Sequence, residues 1–191
     1  MRVKQILSSS TRGFTLIEAL VAISILIVGI LSSFLVVNRV LYSVTNISDR
    51  LTASFLAQEG LELVRNIRDT NLLRIFNNSE PISWNNGLNE GVYEIQAMVT
   101  EETPYLIPLM NEEAARPLKY DTNDKLFNYA RGDDTTFKRI IKITNIATRD
   151  PVHPDLLKQN EIRVEIIMKW RTKNTDYQLV VEDHLFNYFN F

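Results

Sequence analysis

From Ala19 to Val37 no residue carries a charge, and nothing else in the chain limits its possible folds as strongly. At about 1.5 Å per residue, a helix of that length crosses the roughly 30 Å hydrocarbon core of a bilayer. The segment therefore reads as one membrane span. Ahead of it stand Arg2, Lys4 and Arg12 with no acidic residue among them, which keeps the leader cytoplasmic and puts the bulk of the chain outside. Glu18 is a lone carboxylate at the entry to the span. A carboxylate in lipid costs about 2.5 to 3.5 kcal/mol on insertion scales, so this side chain needs a partner or a purpose. A secretory signal shares the basic start, but its apolar core runs about 7 to 15 residues and ends in a small-residue cleavage site. Here the core is longer, adjoins Glu18 and continues into more helix. An uncleaved single-span anchor is the other plain reading.

The run Gly13-Phe14-Thr15-Leu16-Ile17-Glu18, with a short basic leader before it and an apolar helix after it, resembles the processing signal of the type IV pilin and pseudopilin family. The resemblance implies that a prepilin peptidase cuts between Gly13 and Phe14 and that the new amino terminus on Phe14 is N-methylated. It also implies that the Glu18 carboxylate answers the terminal ammonium of a neighbouring subunit during assembly. The chemistry is compatible with each role. Gly13 has no side chain to keep an enzyme surface away from the backbone. Glu18 lies four residues, about one helical turn, beyond Phe14. Opposite charges about 4 Å apart attract far more strongly in a poorly screened core than in water. Many major pilins break this helix with a proline at the position that is Leu35 here, so its absence points toward a minor pilin or pseudopilin. Later phrases, Ala57-Gln58-Glu59-Gly60, Val64 to Asp69, Phe137 to Ile141 and Val164 to Trp170, are similar to those of PilV-type minor pilins.

Beyond Val37 the helical pattern turns amphipathic. Val40, Val44, Ile47 and Leu51 form one stripe, and Ala53, Leu56, Gly60, Leu63 and Ile67 form a second, offset in phase. Helix is expected to about Asp69, a rod of about 84 Å from Phe14. The phase offset suggests a change of partner, with membrane or neighbouring helices below and the chain's own sheet above. Gly60, costly in a helix interior, would permit close approach of that sheet; Gly29 is open to the same reading.

Turn formers follow, among them Asn77, Asn78, Ser79, Pro81, Asn85, Asn86 and Gly87. Val92 to Val99 reads as a strand with Tyr93, Ile95, Ala97 and Val99 on one face, opposite Glu94 and Gln96. Residues 100–136 are irregular, with Pro104, Pro108 and Pro117. Short edge strands at Leu118–Tyr120 and Phe127–Tyr129 could flank a turn at Asp121–Asp124. Phe137–Ile146 is strand-like, and a loop with Asp150, Pro151, His153 and Pro154 leads on from it. Ile162, Val164, Ile166, Met168 and Trp170 then alternate with Arg163, Glu165 and Lys169. A polar turn at Thr172–Asp176 returns into Tyr177, Leu179, Val181 and Leu185. The expected fold class is α+β, a pilin fold in which a long N-terminal helix packs on a small antiparallel sheet like a lollipop. The expected parts are a removable leader, 1–13; a transmembrane and assembly helix, 14–37; its amphipathic continuation, 38–69; and a globular β domain, 70–191.

The function expected is structural: a minor pilin of a type IV pilus. Its partners would be other pilins, the prepilin peptidase, an inner-membrane assembly platform and, before assembly, membrane lipid. Alternatives are a pseudopilin of a type II secretion or DNA-uptake apparatus, and a pilus-tip adhesin using the 100–136 region. A net charge of −2 gives no general affinity for nucleic acid. The chain has no cysteine, hence no disulfide or thiolate metal site. No enzyme site, cofactor or metal is expected. His153 and His184 have no second ligand at a telling spacing. Asp121, Asn123, Asp124, Asp133 and Asp134 lack the order of a calcium loop and read as turn residues. Lys138, Arg139 and Lys142 read as a solvated basic strand face. Asn46-Ile47-Ser48 and Asn77-Asn78-Ser79 fit a glycosylation pattern that occurs by chance.

Overall fold

The computed structural model describes residues 13–77, 82–96, 105–149 and 157–187. The basic leader, Asn78, Ser79 and Pro81, the strand positions Ala97 and Val99, Pro104 and the loop carrying His153 lie outside the described residues. Two compact units divide the chain between Thr45 and Asn46.

The described part of the first unit is helix. Helix α1 spans Leu16–Phe76, and its stretch up to Thr45 is long and apolar enough to cross a membrane, with none of that window buried. Several polar side chains within it are satisfied by the helix itself. Ser24 Oγ donates to Leu20 O at 2.8 Å, Ser33 Oγ to Gly29 O at 2.9 Å and Asn38 Nδ2 to Phe34 O at 2.9 Å. A helix in hydrocarbon needs that self-sufficiency, because no water is present to take up an unpaired group.

In the second unit α1 buries a stripe that includes Ala53, Leu56, Ala57, Gly60, Leu61 and Val64. This is the expected upper stripe turned slightly, with Leu63 and Ile67 at its partly buried margin. The earlier stripe stays exposed: Ile47 is 64% and Leu51 55% accessible. A Cβ on Gly60 would stand 2.9 Å from Arg139 Cδ and 3.4 Å from Ile166 Cγ2, so its lack of a side chain is what lets the sheet come close. Gly29 has nothing within 4 Å of such a Cβ. The helix runs past Asp69 to Phe76 because its next turn still has something to bury. Leu72 packs in the core, and Asn71 Nδ2 donates to Trp84 O at 3.2 Å and to Asn86 O at 2.8 Å.

Among the described residues, seven antiparallel strands form one sheet: β1 (Gly91–Gln96), β2 (Tyr105–Pro108), β3 (Pro117–Asp121), β4 (Leu126–Asn128), β5 (Asp133–Arg149), β6 (Leu157–Thr172) and β7 (Thr175–Phe186). β5 is its spine. One edge of β5 pairs with β6, and the other pairs in tandem with β1 at Ile141–Ile143 and with β3 at Asp133–Lys138. β3 is therefore an interior strand and β4 the edge. Ile162, Val164, Ile166, Met168 and Trp170 all face the core, each at most 5% exposed, as their alternation predicts. The β6–β7 hairpin closes through Lys173 and Asn174, with Lys173 at φ 56°.

The far face of the sheet is not simply wet. Leu109 and Ala115, on either side of a short 3-10 turn at Glu112–Ala114, pack with Ile140 and Ile167 there. This strap explains a departure from the sequence reading. Glu94, expected on a polar face opposite Ile95, is fully buried, as is Ile95. Arg116, which follows the strap, caps it: backbone N, Nε and Nη2 reach the carboxylate at 2.6, 2.9 and 2.6 Å.

Candidate functional site

The residues singled out by sequence gather where α1 begins. Thr15 precedes the first helical residue and acts as its cap, with Glu18 N donating to Thr15 Oγ1 at 3.3 Å and Ala19 N to Thr15 O at 3.1 Å. Such a cap takes up one of the backbone donors that a helix start leaves unpaired. Glu18 sits in the first turn, where the helix dipole favours a negative charge. Its carboxylate has no partner among the described residues. Phe14 is 78% exposed, and Leu16, Ile17 and Leu20 are also exposed. Gly13, Phe14 and Glu18 thus lie together on an accessible helix end, with an uncovered apolar surface directly behind them. Gly13 and Phe14 are accessible, and the Glu18 carboxylate stands about one turn from Phe14.

Elsewhere the structure resolves the other candidates. Asp121 Oδ1 accepts from Asn123 N at 2.8 Å and its Oδ2 lies 2.9 Å from Arg131 Nε. The backbone donors in this turn, with Arg131 adding, hold the Asp121 carboxyl below its usual range. Arg131 also pairs with Asp124. Asp121, Asn123 and Asp124 build the β3–β4 turn, the role their composition suggested, whereas Asp133 and Asp134, expected as turn residues too, open strand β5 and pair with Tyr120 and Lys119 of β3. Asn46 Nδ2 donates to the Tyr177 hydroxyl at 3.0 Å. His184 lies between two carboxylates, Nδ1 at 2.5 Å from Glu161 and Nε2 at 3.1 Å from Glu182. The hydrogen bond to Glu161, then that to Glu182, raises its pKa above the ordinary histidine value.

The basic strand face is a correction. Lys138 and Lys142 do lie on the outer face, but Arg139 points the other way and is 2% exposed. Its Nη1 donates to Leu56 O at 3.1 Å and Glu59 Oε2 at 2.9 Å, both on α1, and its Nη2 to Ile95 O at 3.4 Å. A buried guanidinium is tolerable only with such partners. Parity was the available signal: Phe137, Arg139, Ile141 and Ile143 share one face, and three of the four are apolar. Two further ties escaped the sequence reading. Arg65 Nη2 reaches Asp183 at 2.7 Å and Thr172 Oγ1 donates to Asp49 at 2.6 Å, both joining α1 to the β6–β7 hairpin.

Residues 8–34 match the family model of the prokaryotic N-terminal methylation motif. No match is found among curated proteins or among solved structures. The motif supports a type IV pilin-like or pseudopilin protein, a structural subunit, in general. Together with the apolar helix near the N-terminus, it fits a membrane-anchored protein.

Proposed function

We propose that the chain is a minor pilin of a type IV pilus. In this reading it is held in the inner membrane by the first part of α1, with the β domain outside, until a prepilin peptidase cuts after Gly13 and Phe14 is N-methylated. It then joins other pilins at the assembly platform through α1, Glu18 meeting the ammonium of a neighbouring subunit. The observation that carries the reading is the coincidence of the methylation motif at 8–34 with a capped, exposed helix start at Phe14–Glu18. The unbroken course of α1 through Leu35 supports a minor subunit over a major one.

The test is mass spectrometry of the N-terminal peptide from the membrane and surface fractions of the native host. A peptide beginning at N-methylated Phe14 is the expected result, and a mature protein that retains Met1 overturns the proposal. A pseudopilin of a secretion or DNA-uptake machine would share that processing. Deleting the gene separates them: loss of surface pili with secretion and DNA uptake intact marks a minor pilin, and the converse marks a pseudopilin.

A further inference from the structure

The sheet splits at one end. β5 and β6 pair continuously from Thr144↔Arg163 to Lys138↔Lys169, and there the pairing stops although both strands continue. Residues 133–137 of β5 leave with β3, and residues 170–172 of β6 leave with β7. In the fork lies a cleft of about 710 Å³ whose lining includes Thr136 and Lys138 from one arm and Trp170, Arg171 and Gln178 from the other. The inner side of the fork is bridged by aromatic contacts: Phe137 and Trp170 stand 6.2 Å apart between ring centroids, and Trp170 stacks on Tyr177 at 5.7 Å. The cleft thus has a firm floor, and the strand edge above it is open.

Two of its three cations are already engaged. Lys169 is engaged by Glu112 at 2.8 Å, and Arg171 by Asp176 through two hydrogen bonds. Lys138 has no ion pair among the described residues. Trp170 Nε1 is buried without a hydrogen-bond partner, an unusual condition for a donor of that strength. An unpaired strand edge recognises main chain, because an added strand satisfies its N–H and C=O groups in order. Glu113 and Asp176 also line the cleft, but each already faces a cation, Lys169 at 3.8 Å and Arg171 at 2.6 Å, and Asp134 at the outer end of the β5 arm is 3.9 Å from Lys119, so Lys138 is the lining cation left to attract an anion.

We propose that this fork binds an extended, acidic stretch of a partner polypeptide, which lies as a short strand along residues 133–137 of β5 and sets a carboxylate on Lys138. The proposal is independent of processing at Gly13. It is tested with the full-length chain in detergent micelles and fluorescein-labelled hexapeptides of alternating valine and glutamate. Companion probes are the lysine counterpart, the acidic peptide with alternate amides N-methylated, and a hyaluronate tetrasaccharide. The acidic peptide is expected to bind saturably and to shift the Trp170 indole resonance, while the lysine and N-methylated peptides fail. Lys138→Glu is expected to weaken binding about tenfold or more, the effect of losing one charge-assisted contact. Lys142→Glu, on the same face outside the cleft, is expected to leave it unchanged. The proposal is overturned if the acidic peptide does not bind, if both lysine variants weaken it equally, if the N-methylated peptide binds as well, or if only the saccharide binds.

Discussion

Up to Thr45, α1 leaves its large aliphatic side chains exposed; from Ala53 to Leu72 it buries a continuous stripe, with Phe55 left outside it. Backbone geometry is the same in both stretches, so the contrast lies in what the side chains are given to pack against. In the second stretch the cover is the chain's own sheet, with Gly60, Arg139 and Asn71 shaping the contact. In the first stretch no described residue covers it, and in the proposed reading the apolar surface finds lipid or another helix. One stretch is finished by folding, the other by its surroundings.

The largest expected effect separates assembly from folding. Glu18→Gln should reduce recovery of the protein in sheared filaments about tenfold or more, in line with the loss of a charge-assisted contact. Its thermal unfolding in micelles, followed by Trp84 and Trp170 fluorescence, should not move. A fall in both would erase the proposed division between the two stretches. Next is the buried tie between α1 and the sheet. Arg139→Ala removes the donor to Leu56 O and Glu59, and should lower stability by about 3 kcal/mol in urea unfolding, while processing at Gly13 proceeds. An unchanged midpoint would show that the contact is dispensable.

The two glycines of α1 offer a finer comparison. Gly60→Ala places a Cβ 2.9 Å from Arg139 Cδ and should destabilise by about 1 to 3 kcal/mol through overpacking. Gly29→Ala meets nothing within 4 Å and should be neutral or gain up to about 1 kcal/mol in helix propensity. Equal effects on the unfolding midpoint would contradict the asymmetry. The smallest effect belongs to His184. Its folded pKa is raised by Glu161 and Glu182, so its contribution is complete below the unfolded value of about 6.5 and is lost as pH rises through the folded value. His184→Gln should remove that slope from the urea midpoint measured against pH, and should leave the alkaline end unaltered.

The sequence made both stretches of α1 legible, for different reasons. The first announces itself by the absence of charge from Ala19 to Val37 and by the motif before it. The second shows in the spacing of small and apolar residues around Gly60, and β6 shows in strict alternation. What could not be read depends on contacts distant in sequence. Glu94 is buried only because Arg116 arrives across the strap, and the helix outlasts Asp69 only because Trp84 and Asn86 present carbonyls to Asn71. The fork was equally hidden, since residues 133–136 of β5 fall in the stretch that reads as irregular and nothing local marks where the pairing of β5 with β6 ends.

Asn46, ahead of the buried stretch, meets Tyr177 near the start of β7, and Arg65 meets Asp183 further along the same strand. Chain order thereby becomes an order in time. During synthesis the helical stripe exists long before the strands that cover it, and most of the polypeptide must be made before those contacts can close. Non-local contacts of this kind slow folding and leave apolar surface open to aggregation in the interval. A chain interrupted before β7 would retain the whole first stretch of α1 and lack part of the cover for the second, so the integrity of the last strand decides whether the first helix is safe.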